Sequence, residues 1–187
     1  MFYKKKKKEE MSKTTLTLAY LNEDDRAYGL AGMAISLAAL DAIDRVAAIS
    51  LDADGPMVSF ANEFYFSGSP SVSPKSTWHN LVHNFYITSA MAVSNLMARS
   101  LVRLGEEVPN DLLEAVHNAM LNEGMETCSL EDDEVDNLFT KTTIGMRRIF
   151  ANRRLHPAID TFARTLSRRR NLTGTEIYDE LRELRLI

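Results

Sequence analysis

The sequence predicts a mainly α-helical single domain carrying one small β-hairpin. Three observations lead there. Long stretches repeat apolar residues every three or four positions, and capping residues, glycine or proline punctuate them. One short region, Val46 to Ala61, instead reads as strand, turn and strand. The 187 residues suffice for one core, and 45% hydrophobic with 26% charged residues argues against wholesale disorder or a fibrous protein.

Residues 1–14 form a lysine tract without apolar periodicity, expected to be a flexible, solvated tail, with residues 15–187 as the folded domain. Met11 opens MSKT, which would serve as an alternative start and would leave the tail outside the functional protein. The first helix enters at Asn22, a capping residue followed by three acids that favour the positive helix end, and is expected to run to about Asp44. Ala27, Ala31, Ala34, Ala38 and Ala42 recur along it beside Gly29 and Gly32, so another backbone can approach closely.

Val46–Leu51 and Met57–Ala61 read as strands around the turn Asp52–Pro56, and Asn62 to Pro74 as a loop. A second long helix is expected from Pro74, capped by Ser73, to Gly105. A third is expected from Asn110 or Asp111 through Met120, and a fourth from a Ser129 cap to about Arg154. His156-Pro157 breaks the chain before a fifth helix, Ala158–Arg170. Thr173 and Glu176 have capping-box spacing ahead of a short last helix with Ile177, Leu181 and Leu184 inward.

Charge is uneven. Residues 1–140 hold 11 Lys+Arg against 21 Asp+Glu, a net of −10, whereas residues 141–187 hold 11 against 5, a net of +6. The halves either neutralise each other or leave the basic end for an anionic partner. One cysteine, Cys128, cannot form an internal disulfide, so a reducing, cytoplasmic setting is expected. The apolar stretch Ala27–Leu40 is too short to cross a bilayer, and acidic and polar residues follow the initial lysines where a signal peptide would be apolar, so no membrane association is expected.

Few motifs carry chemistry. His79 and His83 lie four apart and can put two imidazoles on one helix face, but the spacing H-N-L-V-H lacks a neighbouring glutamate. Glu114 and His117 have the Glu-x-x-His spacing of di-iron bundles, which need two such motifs. Arg147, Arg148, Arg153, Arg154, Arg164, Arg168, Arg169 and Arg170 form a basic end with only Phe150 and Phe162 as interleaved aromatics; a solvated face is expected, with nucleic-acid binding as the sharper alternative. Cys128 has no histidine near it in sequence and is expected to be inert. No phosphate-binding P-loop pattern occurs.

The segment RAYGLAGMAISLAALDAIDRVAAISLDADGPMVSF resembles the opening of the peptidase domain of FtsH-type ATP-dependent zinc metalloproteases. Tyr28 to Ala34 lines up with that family's YHEAGHA-like zinc motif, and Ile43 to Val46 with the entrance to its following strand. Asn110 to Ala115 resembles the segment that supplies the third zinc ligand, an aspartate, and HPAIDTFARTLSRRRNLTGTEIYDEL resembles the closing helix pair. The likeness spans roughly residues 25–185 and implies an FtsH peptidase-domain-like fold.

It also implies a lost reaction. Such a peptidase needs two imidazoles a helical turn apart, an acid to complete the metal site, and a glutamate to take a proton from zinc-bound water. At the matching positions stand Gly29, Leu30 and Met33; Asp111 alone survives, with helix capping as its ordinary role. The expectation is therefore a catalytically inactive relative, with no bound cofactor, retained as an interaction or regulatory module that binds a protein partner or itself. Two alternatives stand beside it: a metal-dependent hydrolase with a relocated zinc or iron site built on His79, His83 and Asp111 or His117, and a nucleic-acid-binding protein using the basic end.

Overall fold

The computed structural model describes residues 16–61 and 74–187. The expected capping residue Ser73 and the expected loop and tail lie outside them. Among the described residues the chain is mainly helical, with a three-stranded antiparallel sheet.

Helix α1 (Glu23–Ala39) begins as the sequence expects, with the Asn22 side chain accepting from the Asp25 N–H at 2.8 Å. It stops earlier than expected. Asp41 turns left-handed at φ 53°, and one 3₁₀ turn (Ile43–Arg45) returns Ile43 to the core before β1 (Val46–Ser50). Strand β2 (Val58–Phe60) pairs with β1 antiparallel, and the register slips between Val46 and Ala48. That bulge has a use. Val46 and Ile49 are three apart and would face opposite sides of a regular strand, yet both are buried in the core.

Helix α2 (Pro74–Met97) continues as a π-helical stretch (Ala98–Leu104) and ends at Gly105, in the left-handed conformation. Helix α3 (Asn110–Cys128) starts after Pro109, so neither Asn110 nor Asp111 is its cap, and it runs eight residues past Met120. Leu112, Val116, Met120, Gly124 and Cys128 repeat every four residues and are all buried. Gly124 lies inside the helix, where its missing side chain admits Val135 and Phe85. Ser129 terminates α3 with φ 54° rather than capping the next helix. That role falls to Glu131, in a reciprocal capping box with Glu134 at the head of α4 (Asp132–Phe150).

Helix α5 (His156–Arg169) takes Pro157 into its first turn, where proline's missing N–H costs nothing; the chain break lies in residues 151–155. Strand β3 (Asn171–Thr173), absent from the sequence reading, pairs Leu172 with Ile49 on the free side of β1, giving the order β2-β1-β3. Thr173 then caps α6 (Gly174–Glu183) through the expected box with Glu176; Ile177 and Leu181 are buried, and Leu184 packs against the core from a half-buried position.

Helix α1 is the central element, packed on α2, its π-helical extension and α5; α3 and α4 cover the far side of α2, and α6 closes the sheet end. No helix among the described residues is long and apolar enough to cross a membrane.

Candidate functional site

The α1 positions that match the zinc motif are filled by packing. Leu30 has no exposed surface. A side chain at Gly29 would meet Asn95 Nδ2 at 2.6 Å and the Tyr20 ring at 2.8 Å, and one at Gly32 would meet the Ser94 carbonyl at 2.4 Å and Ala98 Cβ at 2.7 Å. Gly32 lets α1 lie directly on the α2 backbone, and Gly29 makes room for the Asn95 and Tyr20 side chains. Met33 is half-buried against the core. Beside it in the heptad, Tyr28 donates its hydroxyl to Asp160 of α5 at 2.7 Å. Burial first, and then that carboxylate, push the Tyr28 phenol up to about 12. Asp111 is exposed in the first turn of α3.

The structure does not bring the alternative metal candidates together. His79 and His83 are both exposed on α2, and the His79 ring stands 5.2 Å from that of Trp78. Partial burial, helped by Arg45, lowers the His83 pKa. Trp78 Nε1 donates to the Cys128 carbonyl at 2.9 Å, which fixes this end of α2 at the C-terminus of α3. Asp111 lies at the opposite end of α3, about 25 Å away at 1.5 Å rise per residue. His117 is engaged elsewhere, pairing with Asp136 of α4 at 2.7 Å and packing at a tilt against the Phe139 ring, while Glu114 is exposed. Among the described residues, no three of His, Cys, Asp and Glu converge.

The basic end divides in two. Arg147 pairs with Glu107, Arg169 with Glu176, and Arg170 with both Asp52 and Glu23. Those bonds hold the Asp52 carboxyl below its ordinary pKa and raise that of Arg170. Arg148, Arg153, Arg154, Arg164 and Arg168 make no ion pair among the described residues. Phe150 and Phe162 are fully buried, so neither can stack on a base, and what remains there is charge alone. Cys128 is buried, and burial with the nearby Glu123 pushes its thiol pKa up, away from the reactive thiolate.

The most concentrated polar arrangement is one the sequence reading missed. Arg99, in the π-helical stretch, is fully buried and forks onto the equally buried Asp25, through Nε at 2.9 Å and Nη2 at 2.6 Å. Its Nη2 also donates to the Thr17 and Ala19 carbonyls at 2.8 and 2.9 Å, and its guanidinium carbon sits 4.9 Å over the Tyr20 ring. Asn95 donates to the Tyr20 hydroxyl at 2.7 Å, and Leu21 N–H to Asp25 at 2.9 Å. The group thus straps residues 17–21 across the α1–α2 seam. The sequence offers little signal for it, since Arg99 stands near Arg103 and Ser100 in a stretch where a charge can equally face solvent.

Comparison with family models, with curated proteins and with solved structures finds no match to this chain.

Proposed function

We infer that this chain is a catalytically silent relative of the FtsH-type peptidase domain, kept as a protein-interaction module in a reducing compartment. The observation that supports the reading is the closed face of α1. Where a peptidase of that class needs two imidazoles and a glutamate around an open metal position, Gly29 is packed against Tyr20 and Asn95, Leu30 is fully buried, and Met33 is a half-buried thioether against the core. A ligand side chain at 29 would have to displace the Asn95 and Tyr20 side chains, and a carboxylate at 30 would be buried among apolar groups.

The test is a peptidase assay on an unfolded protein substrate, run alongside metal analysis of the purified chain before and after zinc loading. The expected result is no turnover and no stoichiometric metal. Turnover that disappears in Asp111→Ala would overturn the reading.

The five unpaired arginines favour a second reading, a weak phosphate-backbone binder without base stacking. It requires retention on heparin that falls steeply with salt; passage through the column at low salt would remove it.

A further inference from the structure

We propose that the solvent face of α4 is a self-complementary surface on which two copies of this chain pair antiparallel about a two-fold axis. The inference deepens the interaction-module reading by naming one partner, a second copy, and it rests on that reading.

Asp133, Asn137, Ile144 and Arg148 recur at helical spacing and line one exposed stripe of α4, about 22 Å long at 1.5 Å per residue. The stripe runs from acid to base. Asp132, Asp133 and Glu134 occupy its first turn, and Arg147 and Arg148 its last. Neither Asp133 nor Arg148 has an ion-pair partner among the described residues. Ile144 stands out between the two ends with 51% of its surface exposed, among the largest exposures of any bulky apolar side chain described here. Next to it, Gly145 leaves open space where a side chain would stand. Two turns back along the same helix lies a hollow of about 400 Å³, lined by Tyr86, Glu134, Asn137, Leu138 and Lys141.

An antiparallel partner centred between Thr140 and Lys141 satisfies all of these at once. Positions whose numbers sum to 281 then face each other. Ile144 of each copy enters the hollow at Asn137 of the other, and Arg148 meets Asp133. Every contact occurs twice, as an isologous interface requires. A parallel arrangement would instead set Arg148 against Arg148 and Asp133 against Asp133, so charge selects the antiparallel one. One helix pair buries little surface by the standard of permanent dimers, so the association is concentration-dependent.

The experiment is sedimentation velocity on the full chain over a range of concentrations, with circular dichroism confirming that each variant keeps its helix content. The wild type shifts from monomer toward dimer as concentration rises. Ile144→Glu weakens the dimer by about tenfold or more, since a carboxylate would have to give up its water to enter the hollow that an apolar side chain fills. Asp133→Arg and Arg148→Asp are each monomeric alone. Mixing those two variants restores a dimer, because the Arg at 133 of one faces the Asp at 148 of the other; the doubly exchanged chain restores it too. A wild type that stays monomeric throughout overturns the proposal, as does a dimer indifferent to Ile144→Glu or a mixture that fails to recover. None of these results bears on the peptidase assay, so the two readings fail separately.

Discussion

Arg99 and Asp25, 74 positions apart in sequence, meet as a two-bond ion pair with no solvent exposure on either side chain. Removing one partner of such a pair leaves a charge buried without compensation, at a cost of about 3–5 kcal/mol. Arg99→Met is expected to lower the urea midpoint accordingly, and Asp25→Asn/Arg99→Met to cost less than the two single changes added. Additive losses would mean that the two side chains act independently.

The same pair sets a pH dependence. Burial alone would raise the Asp25 carboxyl, but the Arg99 guanidinium, the Leu21 N–H and the neighbouring Arg103 outweigh it and hold the pKa below its ordinary value. A carboxylate depressed in the folded state contributes stability above its unfolded pKa, about 3.9, and loses it as pH falls through that value toward the folded one. The wild-type urea midpoint should therefore drop as pH falls below about 4. Asp25→Asn, already weaker at neutral pH, should lose less over the same interval.

Gly32 tests the helix seam. An added methyl would lie 2.4 Å from the Ser94 carbonyl, a backbone atom that cannot rotate away. Gly32→Ala is expected to destabilise by about 1–3 kcal/mol despite alanine's better helix propensity. A thermal midpoint at or above wild type would show that α1 and α2 separate without cost.

Tyr28 offers a spectroscopic check on the α1–α5 contact. In an ultraviolet titration of the six tyrosines, Tyr28 should ionise at about 12, and Tyr20, raised by its own burial, also above the ordinary value. Asp160→Asn removes the acceptor's negative charge and should move the Tyr28 phenol down. Six tyrosines all ionising near their ordinary value of about 10 would contradict the contact.

Cys128 reports on the opposite side of the molecule. It is 1% exposed and its thiol pKa is raised, so a disulfide reagent at neutral pH should modify it only as fast as the chain opens, and at once in urea. Rapid reaction in the folded state would mean that the α2–α3 seam is loose.

What the sequence disclosed follows from which forces leave local traces. The helices and the hairpin were legible because burial imprints its period on neighbouring residues, and the Thr173–Glu176 box because capping is local. Strand β3 left no trace: three residues are too few for a period, and Leu172 is a strand residue only because Ile49 lies beside it. The Ser129 cap was misplaced because serine suits either a cap or a turn, and only the left-handed backbone distinguishes them. The Asp25–Arg99 pair was hidden for a different reason. Each residue had an adequate local explanation, a helix-start acid and a charge in a long helix, so nothing in the pattern asked for the other.

Strand β1 sits in the middle of its sheet, yet Ala48 pairs with Thr173, about 125 residues further on. During synthesis, β1 and β2 are made well before β3 and wait with one edge of β1 unpaired until all of α2 to α5 has followed. The sheet is thus finished only after the four helices that separate its strands have been made. A premature stop after α5 would leave every helix from α1 to α5 translated but an apolar strand edge open, the kind of end that recruits other nascent chains.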